Sequence, residues 1–164
     1  MSDKNTLVIT LVDYQNPQQM ALLIQQLSAY ALDEMGGSED LTDAVKQRLL
    51  TDLPQQAQNF SMLAWIDNEC VGMTNCLWGY STFAALPLVN IHDLGVQKGY
   101  RGRGVSRALI EAVEAHAKTR NACKVTLEVL GNNIIAKAAY ENFGFKAYEL
   151  SEGAGKAEFW QKYL

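Results

Sequence analysis

The chain is short of cysteine, proline and positive charge. Its 164 residues include three cysteines, three prolines and two histidines, and 14 lysines and arginines stand against 18 acidic side chains, a formal net charge of −4. Cys70, Cys76 and Cys123 cannot all pair internally, form no Cys-x-x-Cys motif and lie near no histidine cluster, so neither a disulfide framework nor a metal site is expected. Buried free thiols in a reducing, cytoplasmic setting are the expectation. The acidic balance argues against a general nucleic-acid binder, so any phosphate site must be local. No apolar run reaches the ~18 residues of a membrane span, and Met1–Asn5 lacks the basic and apolar regions of a leader, so no membrane partner is expected. Low-complexity tracts, linkers and repeats are also missing. The length then suggests one domain over residues 1–164, large enough to bury a core.

The prolines punctuate a regular alternation of elements. Thr6–Val12 reads as a strand, and Asn16-Pro17 as a cap and first position for a helix running to about Leu32, with Met20, Leu23, Ile24 and Leu27 on one face. A second helix starts at Leu41 or Thr42 and is closed by Pro54. The carboxylates Asp33, Glu34, Glu39, Asp40 and Asp43 between them read as a solvated loop or as an electrostatic lure for a cationic substrate. Phe60–Ile66 and Cys70–Tyr80 read as a hairpin around Asp67-Asn68-Glu69, with Trp78, Tyr80 and Phe83 as core aromatics, and Leu88–Val96 as the next strand after Pro87. His116, on the apolar face of the following helix, reads as a packing residue. Lys124–Leu130 reads as a strand, Asn133 as the cap of a helix ending at Phe143-Gly144, and Phe145–Leu150 and Ala157–Tyr163 as closing strands. This order predicts an α/β protein, a central mixed sheet of about seven strands flanked by four helices.

Ile91–Ser106 organises the rest. A strand containing Gly95 runs into Gln97-Lys98-Gly99-Tyr100-Arg101-Gly102-Arg103-Gly104, then directly into the helix that begins Val105-Ser106-Arg107. Gly102 and Gly104 let the backbone turn tightly beside a ligand, the helix supplies unsatisfied N–H groups and the positive end of its dipole, and Lys98, Arg101 and Arg103 add charge. A phosphorylated ligand suits such a cradle. Glycine at Gly95 marks a bulge or a close approach.

Arg101-x-x-Gly104-x-Ser106 resembles the Gln/Arg-x-x-Gly-x-Gly/Ala pyrophosphate loop of the GNAT acyl-CoA N-acyltransferases, with Ser106 in place of the usual small residue. Asn133-x-x-Ala136-x-x-x-Tyr140-x-x-x-Gly144-Phe145 is similar to the helix and following strand of that superfamily. Tyr80–Phe83 followed by Ile91–Leu94 further resembles the branch acting on polyamines and diamines, although His92-Asp93 stands where that branch has a Glu-Asp pair.

The resemblance implies the GNAT fold, acetyl-CoA as cosubstrate and transfer of its acetyl group to a primary amine by direct attack in a ternary complex. It places the pyrophosphate on Arg101, Gly102, Arg103, Gly104, Val105, Ser106 and Arg107. The thioester arm would lie along Leu94, Gly95 and Val96, with an amide of Leu94 or Val96 as oxyanion donor. Tyr140 would protonate the leaving thiolate, Ala136 would leave room for the cofactor, and Asn133 would cap its helix and bond the cofactor. A protonated amine must lose a proton before attack, which makes His92 the candidate base because its ordinary pKa is ~6.5; Glu128 is the second candidate. Strand alternation puts His92 and Asp93 on opposite faces. His92, Asp93 and Glu128 would edge the amine pocket. Protein lysine or N-terminal acetylation, and a non-catalytic acyl-CoA-binding module, are the competing readings. By analogy alone, Ala157–Tyr163 could mediate a homodimer.

Overall fold

The computed structural model describes residues 6–151 and 153–164. Met1–Asn5, in which no leader is recognised, lies outside the described residues. Two compact units are formed, Met1–Leu127 and Glu128–Leu164.

The first unit is built on a five-stranded sheet in the order β1-β2-β3-β4-β5. β1 (Leu7–Leu11), β2 (Asn59–Ile66), β3 (Glu69–Ser81) and β4 (Leu86–Val96) run antiparallel to their neighbours, and β5 (Val125–Leu127) is parallel to β4. The β2–β3 hairpin turns through Asp67 and Asn68, both with φ positive (51° and 66°), the backbone that matches the twist of paired strands. Between β1 and β2 lie α1 (Pro17–Ala31) and α2 (Asp43–Asp52). The Asn16 side chain accepts from the amides of Gln18 and Gln19, which caps α1 just before its leading proline.

Two cores result. On one face of the sheet Met20 and Leu23 of α1 pack with Val12, Leu63, Cys70 and Met73. Gln26, buried on the same helix, donates to the Cys70 carbonyl at 3.0 Å, so its burial costs no unpaired amide. On the other face α3 (Val105–Lys118) buries Val105, Leu109, Ile110, Val113 and Ala117. Burial of a leucine such as Leu109 stabilises by roughly 2–3 kcal/mol. His116 packs there between Phe60 and Trp78, ring centroids 4.6 and 5.7 Å away, and burial lowers its pKa, as a packing residue requires. Of the three aromatics expected in the core, Trp78 is buried, but Tyr80 and Phe83 are exposed because they sit at and beyond the outer end of β3.

The second unit contains α4 (Ile134–Asn142). The fold class agrees with expectation, but the strand number is corrected from about seven to five among the described residues. β5 stops at Leu127 rather than Leu130, and Phe145–Leu150 and Ala157–Tyr163 form no named strands but meet at the bridge Glu149↔Lys156 and through the bond from the Ala157 amide to the Tyr148 carbonyl. Their apolar members Tyr148, Leu150, Phe159, Trp160 and Tyr163 are exposed. Without a buried face to pin a register, a two-stranded pairing is marginal. The expectation of three buried thiols also needs correction: Cys70 and Cys76 are buried, which pushes their thiols up to about 11 and about 12, but Cys123 is exposed.

Candidate functional site

The site is set by two irregularities of β4. The first is a bulge: Asn75 pairs with Asp93 and Cys76 with Ile91, so His92 is one residue more than β3 can oppose. The Asp93 carbonyl released there accepts from the hydroxyl of fully buried Thr74 at 2.8 Å. Strict alternation therefore fails at this point, and Ile91 and Asp93, two residues apart, lie on opposite faces. Asp93 stands on the α1 face, where Asn75 donates to its Oδ2 at 2.9 Å, and His92 is exposed at the bulge itself.

The second irregularity is an open edge. β5 pairs with β4 only from Val89↔Val125 to Ile91↔Leu127, while β4 continues to Val96. Among the described residues, 92–96 have no ladder partner on that side. The Gln97 amide donates to the Val71 carbonyl, so Gly95, two residues back, also turns its backbone toward β3. Leu94 and Val96 consequently turn theirs to the open side. Gly95 permits a close approach: a Cβ there would lie 3.0 Å from the Tyr30 Cβ, so its missing side chain makes room for α1.

Where β4 ends, a 3-10 turn at Lys98–Tyr100 leads to Gly102 and Gly104, with φ of +75° and +80°. Gly104 is the N-cap of α3 and brings no side-chain cap; the first helical bond runs from the Ala108 amide to the Gly104 carbonyl. The amides of Val105 and Ser106 precede that bond, at the positive end of the helix dipole. A Cβ at either Gly102 or Gly104 would meet nothing within 4 Å, so space stays open above the turn. Arg103 lies over the Tyr100 ring, 5.0 Å from its centroid, and Arg107 belongs to the first turn of α3. This arrangement can receive phosphate oxygens.

Arg101 has partners that its motif position does not foretell. Its Nε donates to the Val96 carbonyl at 3.1 Å, and its Nη2 binds Asp33 at 2.8 Å, so it ties the turn after α1 to the end of β4. The Arg101 guanidinium, together with the Met35 amide, holds the Asp33 carboxyl below its ordinary 3.8. A carboxylate with a depressed folded-state pKa stabilises above its unfolded value and loses that contribution as pH falls through the folded one. Arg101→Gln is therefore expected to cost up to about 1 kcal/mol more at neutral pH than once Asp33 is protonated, since the pair is partly exposed and the bond to the Val96 carbonyl is lost at either pH. Urea unfolding at pH 7 and at progressively lower pH checks this; an equal loss in acid would show that the ion pair contributes nothing. Asp40 is similarly engaged, with Lys46 at 2.7 Å, so the acidic stretch is partly neutralised by its own neighbours.

The second unit carries the other motif. The Asn133 Oδ1 accepts from the Ala136 amide at 3.1 Å and caps α4 as expected. Tyr140 follows Ala136 by one turn and meets Phe145 edge-on, centroids 6.0 Å apart. Gly144, φ +92°, ends the helix as the Phe145 amide bonds back to the Tyr140 carbonyl. Glu128, the other candidate base, begins this unit and is exposed.

Three residues escaped the sequence reading: Tyr14, Ser61 and Asn75, which are hydrogen-bonded in series to Asp93. The available signal was polar residues inside two largely apolar strands, Ser61 in Phe60–Ile66 and Asn75, after Thr74, in the run beginning at Cys70.

An antiparallel sheet thus opens beside a parallel strand, and an uncapped glycine turn leads into a helix at the opening. The family model described as Acetyltransferase (GNAT) family matches residues 25–145, and the chain belongs to that family. It is 32% identical over 98 residues to an N-alpha-acetyltransferase of Saccharolobus solfataricus, covering 56% of this chain and 59% of that protein, so the match spans about three-fifths of the relative's length. Among solved structures it is similar to an aminoglycoside acetyltransferase from an uncultured soil metagenomic sample in complex with sisomicin, with 18% identity, 96% of each chain covered and a TM-score of 0.75. An aminoglycoside N-acetyltransferase in complex with CoA is similar over 99% of this chain and 98% of that one, with 16% identity and a TM-score of 0.75. At these identities the structures speak for the fold. Among the described residues no helix is long and apolar enough to cross a membrane.

Proposed function

We propose that the protein is an acetyl-CoA-dependent N-acetyltransferase whose acceptor is the primary amine of a small cationic molecule, a polyamine or diamine being the first choice. One observation carries the reading: the open edge of β4, where Leu94 and Val96 turn outward, ends at the uncapped glycine turn before α3. Extended backbone followed by an anion cradle suits a ligand with a peptide-like arm and a pyrophosphate. Gly102–Ser106, with Arg103 and Arg107, would hold the pyrophosphate, and by the family resemblance Asn133 and Ala136 are further cofactor residues. When bound, acetyl-CoA supplies an activated acyl group. Of the protein's own groups, His92 takes the ammonium proton, directly or through water, an outward amide of Leu94 or Val96 polarises the carbonyl, and Tyr140 returns a proton to the departing thiolate. Asp93 attracts the ammonium group, with Glu128 as a further carboxylate for the amine.

Thiol release from acetyl-CoA tests this over spermidine, putrescine, sisomicin and peptides with free N-termini. Release with one of the small amines is the expected result, with intersecting initial-velocity lines as direct attack requires. Release with peptides alone would favour N-terminal acetylation, the reading supported by the 32% identical N-alpha-acetyltransferase. No release with any amine would reduce the protein to an acyl-CoA-binding module.

A further inference from the structure

On the sheet face that carries α1, two adjacent rungs differ in character. Leu63, Met73 and Gly95 stand side by side across β2, β3 and β4, and Ser61, Asn75 and Asp93 stand side by side in the rung beside them. The first is apolar and belongs to the core. The second is polar, although Ser61 is completely buried. The Ser61 Oγ donates to the Asn75 Oδ1 at 2.6 Å, the Asn75 Nδ2 donates to the Asp93 Oδ2 at 2.9 Å, and the Tyr14 Oη lies 2.7 Å from the Ser61 Oγ. A serine hydroxyl has a single proton, here used on Asn75, so Tyr14 must be the donor to Ser61. Every bond in the series therefore donates toward one end, the carboxylate. Burial raises the Tyr14 phenol above its ordinary value and keeps it a donor.

Stability alone does not call for such a rung. Apolar side chains of similar volume would cost less to bury, and one missing member leaves the rest unsatisfied in a low dielectric. What the series does accomplish is geometric: it occupies Oδ2 and fixes the Asp93 rotamer beside the β4 bulge. An amide passes protons poorly, so the chain orients rather than conducts. Tyr30 faces Asp93 from α1 and is kept protonated by burial and by the Asp93 and Asp33 carboxylates, adding a phenol to the same face.

We infer that Tyr14, Ser61 and Asn75 are positioning residues that hold the Asp93 carboxylate in place to bind the ammonium group of the acceptor. This rests on the acetyl-transfer reading above, and its test is separable from that reading because it measures amine binding rather than turnover. The full chain is titrated calorimetrically with spermidine and with sisomicin, and separately with acetyl-CoA.

Asn75→Ala should weaken amine binding about tenfold, as loss of a hydrogen bond to a charged group does, and Asp93→Asn should weaken it further. In the Asp93→Asn background Asn75→Ala should change nothing more, which a merely structural role would not produce. Acetyl-CoA affinity should stay within about twofold throughout and report on folding. If Asn75→Ala damages the fold, Tyr14→Phe, which keeps the ring, should still weaken amine binding by about threefold. Unchanged amine affinity in Asn75→Ala, an equal loss in both backgrounds, or a parent protein that binds neither amine would each overturn the inference. A parent that binds both ligands but releases no thiol would remove the transferase reading and leave this one standing.

Discussion

Tyr140→Phe is expected to lower kcat by two to three orders of magnitude, about the range of a lost general acid, while acetyl-CoA binds within about twofold of the parent. The substitution is close to a pure deletion of one hydroxyl. The ring that meets Phe145 at 6.0 Å is kept, and so are the backbone bonds that end α4, from the Phe143 and Phe145 amides to the Tyr140 carbonyl. Cap and helix are untouched, because Asn133 satisfies the first turn from the other end. Loss of turnover can then be assigned to the proton the phenol provides to the thiolate. Steady-state kinetics alongside a titration with acetyl-CoA checks it, and a variant that turns over like the parent would remove the acid role from Tyr140.

Gly104→Val should cost at least a hundredfold in acetyl-CoA affinity. The cause is the backbone rather than collision, since a Cβ at Gly104 would meet nothing within 4 Å. At φ +80° a β-branched residue is strained by a few kcal/mol, and the relief available to the chain is to swing the turn out of its left-handed shape. That movement takes the Val105 and Ser106 amides off their common target. Gly104→Asn, which tolerates positive φ better, should retain most of the binding. Equal affinity for CoA in the valine and asparagine variants would mean that the cradle does not depend on this conformation.

What the sequence made legible was whatever is decided within a few residues. Gly102 and Gly104 at positive φ, the Asn16 and Asn133 caps and the single apolar stripe of α3 are local matters, and each lies where expected. The motif around Arg101 is local, whereas the carboxylate it binds, Asp33, is 68 residues away. The Ser61–Asn75–Asp93 series joins residues 14 and 18 positions apart, and only the register of three strands aligns them. The vacancy at Gly95 likewise has meaning only once α1 lies across it. At the other end, Phe145–Leu150 and Ala157–Tyr163 were expected as strands, but an apolar and aromatic composition supplies no neighbour to cover it.

The extra residue at His92 also fixes the parity of β4. Before it, the odd-numbered Val89 and Ile91 point into the α3 core; after it, the odd-numbered Asp93 and Gly95 point to α1. Deleting that one residue would leave every side chain chemically intact yet force one half of the strand to present its wrong side. Either Ile91 would leave its core or Asp93 would leave Asn75. The strand should therefore accept many exchanges at position 92 and no change in its length, a constraint on counting rather than on chemistry.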